Sequence, residues 1–446
     1  MEGTNFSRVL VVGLGSSGIA AARLAAADGA EVVVTDRRTE AELGDALVHL
    51  PRQVETVLGG HPESCLDGID LMVVSPGVAP DSELPVLAKR RGIEIVTEVE
   101  FAWRHRPDAP LAAITGSNGK STVTTLVAEM LAEDGIRVVA GGNLGTAASE
   151  LVLVGGWDQW VLEISSFQSE LFAAMAPTVA VFLNLSQDHL ERHAGIDDYL
   201  AAKRRVFAFQ SADDTAVLNL DDPASAGTGT AAARRYFSIE READGCLDGE
   251  RLLIDGETLT RADDIKLTGA HNLANILAAG LAATAMGASR AAVAAAAERF
   301  DGLAHRHRVV HEAAGVRWVD DSKATNIGAT LAALRGYPEG SLHLILGGQA
   351  KGQDFTVLAG EVSRTTARLY VIGIDGPEIA RALADAVAVE RCETLAEAVD
   401  RARRAATSGQ IVLLAPACAS FDQFTGYDQR GDVFAALARE EVAACP

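Results

Sequence analysis

Short runs of aliphatic and β-branched residues recur along the chain, each closing on a glycine or polar turn that opens into an alanine-rich stretch with helical spacing. Early examples are "RVLVVG", leading into a helix from Gly18, "EVVVTD" at Glu31 to Asp36, and "DLMVVSPG" at Asp70 to Gly77. This alternation predicts parallel strands joined by crossover helices, an α/β class throughout. The apolar stretch from Val9 to Ala27 is broken by three glycines and by Arg23, so it reads as strand, turn and helix and not as a signal or spanning segment.

The pattern restarts twice. After "EIVTEVEFAWRHRPDAP" a new strand begins in "LAAITGSNGK", with Pro107 and Pro110 marking the junction. Strands are then expected in "WVLEIS", "VAVFLNLS" and "TAVLNLDD", hairpins in the turn-rich patch Ala224 to Arg261, and one or two helices from Asn272 to Phe300. A third start, "VRWVDDSKATN", is followed by "LHLILGG", "LYVIGIDG" and "IVLLAPACASFDQF". Three domains are therefore expected, at 1–98, 99–303 and 304–446: a Rossmann-like nucleotide-binding unit, a central P-loop unit with a mainly parallel sheet, and a second Rossmann-like unit.

Composition fits that division. A chain of 446 residues accommodates about three domains of roughly 150 residues each. With 48% hydrophobic and 22% charged residues, extended disorder is excluded. The net charge of -22 opposes a nucleic-acid partner or an anionic membrane surface, so an anionic small molecule would need a local basic pocket or a metal ion. Cys65, Cys246, Cys392, Cys418 and Cys445 are scattered, with no C-x-x-C pair and no zinc-type spacing, as expected of reduced packing thiols in a cytoplasmic protein.

The chemistry concentrates in the turns. In "AITGSNGKSTVTTL", Gly116 and Gly119 free backbone N–H groups to converge on phosphate oxygens at the start of a helix, with Ser117 and Asn118 between them. Lys120 supplies a charge to the terminal phosphates, and Ser121, followed by Thr122, supplies a hydroxyl suited to Mg²⁺. The strict phosphate-loop pattern asks for glycine at 114, where this chain has Ile114. A plain strand-to-helix turn with an exposed lysine is the alternative. The earlier turn "GLGSSG" (Gly13, Gly15, Gly18) with Asp36 closing the next strand is open to three readings: an NAD site, a site for another nucleotide diphosphate, or tight helix-on-sheet packing.

Other strand ends carry candidates. Glu163 ends an apolar strand and would hold Mg²⁺ or orient a water, against the alternative of a solvated strand-end carboxylate. His189 in "NLSQDHLERH" has similar placement, and a lone histidine is as often structural. Lys203 in "YLAAKRRVF" reads by default as part of an exposed basic helix face. "DDSKATN", "GGQAKGQDF" and "PACASFDQF" each follow an apolar strand, bringing polar and cationic groups to one edge of the third unit.

Taken together, these loops resemble the Mur ligases over essentially the whole chain, in "GLGSSG", "SPGVA", "ITGSNGKSTVTTL", "GGNLG", "LEISSFQ", "DHLERH", "AAKRRVF", "GAHNLAN", "AHRHR", "DDSKATN", "LGGQAKGQDF", "PACASFDQF" and "QRGDVF". The resemblance is to the branch that adds D-glutamate. It implies an ATP-dependent ligase joining UDP-N-acetylmuramoyl-L-alanine to D-glutamate in cytoplasmic peptidoglycan-precursor synthesis, acting as a monomer on small molecules. A sister ligase adding another amino acid and, from another class, an NAD-dependent oxidoreductase are the competing readings. By resemblance, Ser121 and Glu163 would bind one Mg²⁺, and His189 with a carbamylated Lys203 a second. Asn272, Arg306 and Asp321 would contact ATP alongside residues 116–122. Ser16, Ser17, Asp36, Arg37, Ser75 and Asn143 would hold the uridine-linked substrate, and Lys323, Thr325, Lys351, Ser420 and Tyr427 the amino acid.

Overall fold

The computed structural model describes residues 6–188, 192–267, 269–350 and 352–440. The chain divides into two compact units, one built from the described parts of Met1–Leu185, Asp197–Ile265 and Leu273–Arg299, the other from those of Ser186–Ile196, Lys266–Asn272 and Phe300–Pro446. Together they carry three sheets flanked by helices. Among the described residues no helix is long and apolar enough to cross a membrane. Cys65, Cys246, Cys392 and Cys418 are free and buried.

The first sheet contains β1 (Arg8–Val12), β2 (Glu31–Asp36), β3 (Glu55–Leu58), β4 (Leu71–Val74) and β5 (Glu94–Thr97), in the order β3-β2-β1-β4-β5. Every pairing is parallel. The strand order reverses at β1, which places the "GLGSSG" turn at the crevice where such sheets bind ligands. The helix Ser16–Ala27 begins in that turn, as the interrupted apolar stretch predicts.

The same unit holds the second sheet: β6 (Leu111–Thr115), β7 (Val138–Gly142), β8 (Gln159–Glu163), β9 (Val179–Phe182), β10 (Thr215–Asn219), β11 (Ala233–Ser238), β12 (Gly245–Asp248), β13 (Arg251–Ile254) and β14 (Glu257–Arg261). Its order is β14-β13-β12-β11-β10-β9-β6-β8-β7. β6 is buried along its whole length because strands flank it and helices cover it, so it reads as a continuous apolar run. The turn-rich patch corrects the expectation of hairpins alone: β11 and the start of β12 continue the parallel sheet, and only β12, β13 and β14 pair antiparallel. The alanine-rich stretch beyond it forms two helices, Ala270–Ala285 and Arg290–Arg299.

The other unit holds β15 (Arg308–Ala313), β16 (Val316–Asp320), β17 (Leu342–Gly347), β18 (Thr366–Ile372), β19 (Val389–Arg391) and β20 (Ile411–Leu414), in the order β15-β16-β20-β17-β18-β19. All pairings are parallel except β15 with β16, a strand the apolar pattern did not announce because β15 is largely exposed. Its three central strands, β16, β20 and β17, end together at "DDSKATN", "PACASFDQF" and "GGQAKGQDF".

Candidate active site

The phosphate-loop candidate follows β6, which lies between β8 and β9 at the point where the second sheet reverses its order. Ile114 is not part of the loop. It is a fully buried residue of β6 paired with Glu163 and Val181, which explains the departure from the strict pattern. Gly119 adopts φ 84°, and a Cβ there would lie 2.5 Å from Asn275 Oδ1, so only glycine fits before the helix Lys120–Glu133. Asn184, two residues past β9, fastens the loop: its side chain accepts from Asn118 N–H at 2.9 Å and donates to Asn118 O at 3.1 Å, while its carbonyl accepts from Ser117 N–H at 2.9 Å.

Two ammonium groups meet at this loop. Lys120 Nζ donates to the carbonyls of Gly116 and Ser117, both at 2.8 Å, and Lys203 Nζ donates to the same Gly116 carbonyl at 2.7 Å. Lys203 is 1% exposed and stands 4.2 Å from the centre of the Tyr199 ring, whose hydroxyl is 3.3 Å from Ser117 Oγ. The reading of Lys203 as a solvated helix face is therefore wrong. The last turn of Ile196–Arg204 packs inward, and helical periodicity could not show which face was covered.

Glu163 is likewise buried and not a solvated strand end. It lies between Ile114 and Gly142 on the neighbouring strands. Ser121 Oγ donates to Glu163 Oε2, and Asn143 Nδ2 donates to Glu163 Oε1 at 2.6 Å. Asn143, assigned to the uridine-linked substrate by resemblance, is thus engaged with the carboxylate beside the phosphate loop. A hydroxyl and a carboxylate side by side form a hard oxygen donor set, which suits Mg²⁺. His189 and Lys351 lie outside the described residues.

At the first turn, a Cβ on Gly18 would lie 1.8 Å from Gly13 O, and Ser75 Oγ donates to that same carbonyl at 2.7 Å. Ser16 is exposed, Ser17 partly so, and Arg37 exposed. Asp36 accepts from the Leu14 N–H at 2.7 Å and from Arg38 through its backbone N–H, Nε and Nη2 at 2.9, 3.0 and 2.7 Å. Burial would raise the Asp36 carboxyl, but the Arg38 bonds and the Leu14 N–H outweigh it and hold the group well below the usual carboxylate range.

In the other unit, the ends of β16, β17 and β20 converge around residues that the sequence reading left without a role. Arg430, 1% exposed on the helix Tyr427–Arg439, donates through Nε to Ser322 Oγ at 2.9 Å and through Nη2 to Ser322 O at 2.8 Å and Cys418 O at 3.1 Å, with Nη1 3.5 Å from Gly347 O. One guanidinium therefore ties together the three loops that carry Lys323 and Thr325, Gly347, and Ser420. Burial pushes Arg430 down to about 10. Beside it in "QRGDVF", a Cβ on Gly431 would lie 2.1 Å from His305 Nδ1, so the helix and the "AHRHR" segment are closely apposed.

His305 and His307, flanking the partly buried Arg306, adopt φ 60° and 52°, a conformation unfavourable for these side chains and common where geometry serves a site. His305 Nδ1 is 2.7 Å from Asp320 Oδ2; His307 lies between Asp321, at 3.4 Å, and the Tyr337 hydroxyl, at 2.9 Å. The His271 ring, next to the buried Asn272, is 6.1 Å from that of His307. Burial and then His307 push His271 down to about 4. Lys323 Nζ sits 3.9 Å from the centre of the Tyr427 ring. Thr325 N–H donates to Lys323 O at 2.7 Å, and Ser420 is buried in the "PACASFDQF" turn. "AHRHR" and Tyr337 thus add His305, His307 and a tyrosine to the expected Arg306 and Asp321.

Three family models match the sequence: the Mur ligase MurD-like N-terminal domain over residues 7–97, the Mur ligase middle domain over 114–283 and the Mur ligase glutamate ligase domain over 305–418. A UDP-N-acetylmuramoylalanine--D-glutamate ligase from Anaeromyxobacter dehalogenans is 42% identical, covering 98% of this chain and 98% of the relative. The chain belongs to the Mur ligase family. Another relative of the same name, from Pasteurella multocida, is 39% identical over 97% of this chain and 98% of its own. Among solved structures, the UDP-N-acetylmuramate-alanine ligase MurC of Thermotoga maritima shares the fold at TM-score 0.61 and 17% identity, covering 97% of this Mur ligase and 99% of that chain. A MurF ligase from Thermotoga maritima, in complex with ADP, does so at TM-score 0.62 and 16% identity, covering 92% and 94%. The match to ligases along nearly the whole chain leaves the oxidoreductase alternative without support.

Proposed function

We propose that this Mur ligase joins the carboxylate of UDP-N-acetylmuramoyl-L-alanine to the amine of D-glutamate, with ATP going to ADP and phosphate, as a cytoplasmic monomer. The observation that carries the reading is 42% identity over 98% of the chain to a relative named as a ligase of that specificity, with Lys120 and Ser121 of the phosphate loop and Glu163 beside it all present. In this reading residues 1–98 bind the uridine-linked substrate through Ser16, Ser17, Asp36, Arg37 and Ser75, with Asn143 reaching it from the next domain. Residues 99–303 bind ATP through the 116–122 loop and Asn272. Residues 304–446 bring Arg306 and Asp321 to ATP and present Lys323, Thr325, Lys351, Ser420 and Tyr427 to the amino acid.

A carboxylate is inert toward amines. Its oxygen therefore first attacks the γ-phosphorus of ATP, forming an acyl phosphate and releasing ADP. The D-glutamate nitrogen then attacks the acyl carbon, and the tetrahedral intermediate collapses as phosphate leaves and the nitrogen gives up a proton. Both steps crowd negative oxygens together, and Lys120 offsets that charge from a loop whose carbonyls hold its ammonium in place. The Ser121 hydroxyl and Glu163 carboxylate would hold one Mg²⁺, with His189 and a carbamylated Lys203 holding another; magnesium would neutralise phosphoryl oxygens. Carbamylation fits a lysine buried beside the loop, since it converts a cation into an oxygen donor.

The test is phosphate release from ATP with UDP-N-acetylmuramoyl-L-alanine and D-glutamate, each omitted in turn, with L-glutamate, L-alanine and a diamino acid as alternatives. Release that needs both substrates and favours D-glutamate is expected. Release independent of either substrate would overturn the ligase reading, and preference for another amino acid would replace it with a sister specificity.

A further inference from the structure

The turn that brings Asn143 onto Glu163 is clamped from both sides. Gly142 N–H donates to Thr146 O, and Asn143 N–H to Glu163 O, each at 2.9 Å. A Cβ on Gly142 would lie 2.5 Å from Glu163 O. One on Gly141 would lie 2.5 Å from Thr146 O and 2.7 Å from Leu151 Cδ1. The helix Ala148–Val154, through Leu151 and the Thr146 carbonyl just before it, therefore buttresses the strand end that carries Asn143.

That helix is held at its first turn by a side chain from far away in sequence. Glu98, 1% exposed and directly following β5 of the first sheet, accepts the Ser149 N–H at 2.5 Å. Its other oxygen is buried without a hydrogen-bond partner. Burying a carboxyl in this way is costly, and burial pushes Glu98 up to about 7 against the opposing bond from the Ser149 N–H. Glu100, two residues further along the same helix and therefore on another face, is fully buried but has several partners: the N–H groups of Ala173 and Ala174 and the Arg104 guanidinium. The single bond of Glu98 is therefore directed at the Ser149 helix alone.

We infer that Glu98 is a positioning residue for the metal-nucleotide site: its carboxyl oxygen fixes the start of Ala148–Val154, that helix fixes the 141–147 turn, and the turn keeps Asn143 on Glu163. The inference rests on the proposed metal role of Ser121 and Glu163. A purely structural Glu98 would affect stability and leave metal binding alone.

The experiment titrates full-length protein with Mn²⁺ in the presence of ADP, following free Mn²⁺ by electron paramagnetic resonance, with thermal melting in parallel. Glu98→Leu fills the buried space but cannot accept a hydrogen bond, Glu98→Ala is its smaller counterpart, and Glu98→Gln keeps an acceptor for Ser149. Loss of an outer-shell partner typically weakens metal binding about 10–100-fold, so the Leu and Ala variants should bind Mn²⁺ at least about tenfold more weakly. Gln should stay within about threefold, and in an Asn143→Ala background Glu98→Leu should add little, because both act on the same contact. Unchanged Mn²⁺ affinity in the Leu variant, equal damage by Gln, or a full additional loss in the Asn143→Ala background would overturn the inference. So would failure of both Leu and Ala variants to fold while Gln folds, since that marks a folding anchor. Wild-type protein that binds no Mn²⁺ with ADP would bring down the metal reading as well.

Discussion

Replacing Arg430 by leucine tests how the amino-acid end of the site is held together. The guanidinium makes three bonds of 2.8 to 3.1 Å and a longer one at 3.5 Å, all to neutral oxygens. Ser322 Oγ keeps its bond to Tyr427 O at 2.7 Å, so the substitution chiefly strips the carbonyls of Ser322 and Cys418. Orphaning two buried acceptors costs about 1–3 kcal/mol each. Against this, removing the buried cation relieves about 3 kcal/mol, taken from its displacement from 12.5 to about 10. The net change should be small, a loss of at most about 3 kcal/mol, lowering Tm by no more than several degrees at about 2–4 °C per kcal/mol. Activity should fall much further, because the loops bearing Lys323, Thr325 and Ser420 lose their common tie: kcat/KM for D-glutamate should drop by about 100-fold or more, the scale expected when a reacting group is misplaced by about 1 Å. Arg430→Lys, reaching one loop at a time, should recover stability more than activity. Thermal melting and steady-state kinetics check both numbers. A leucine variant with kcat/KM within twofold of wild type would show that the three loops are set without Arg430.

Lys203→Ala should lose turnover and regain part of it with a short carboxylic acid, as phosphate release would record; full activity without rescue would dispense with the carbamate. His271 is held at about 4 against an ordinary value near 6.5, so the unfolded chain binds its proton first. Its contribution to stability is complete above pH 6.5 and falls, by at most about 3 kcal/mol, as the pH drops toward 4. Urea unfolding of wild type and His271→Gln at pH 7.5 and 4.5 should show a smaller acid loss in the variant, and equal losses would refute the assignment. Gly18→Ala, with its Cβ 1.8 Å from Gly13 O, should destabilise by about 1–3 kcal/mol or more and raise KM for the uridine-linked substrate more than for ATP. Ile114→Gly, which would complete the strict phosphate-loop pattern, should instead destabilise by about 3–5 kcal/mol in denaturant titrations, because it empties a fully buried strand position.

The chain's own pattern determined the α/β class, the two glycine turns and the three loops at one edge of the last sheet, since strand alternation, glycine freedom and polar strand ends are local properties of consecutive residues. Even the departure at Ile114 was visible, although its reason, a buried place between β8 and β9, was not. Only the tertiary structure decided that Lys203 faces inward onto the same carbonyl as Lys120, and that Asn143 turns its amide to Glu163. It likewise decided that Arg430 binds three loops far apart in sequence and that Glu98 grips the Ser149 helix. Each of these is a hydrogen bond between segments distant along the chain. Local spacing reports which groups can donate or accept, and packing alone selects the partner each one meets.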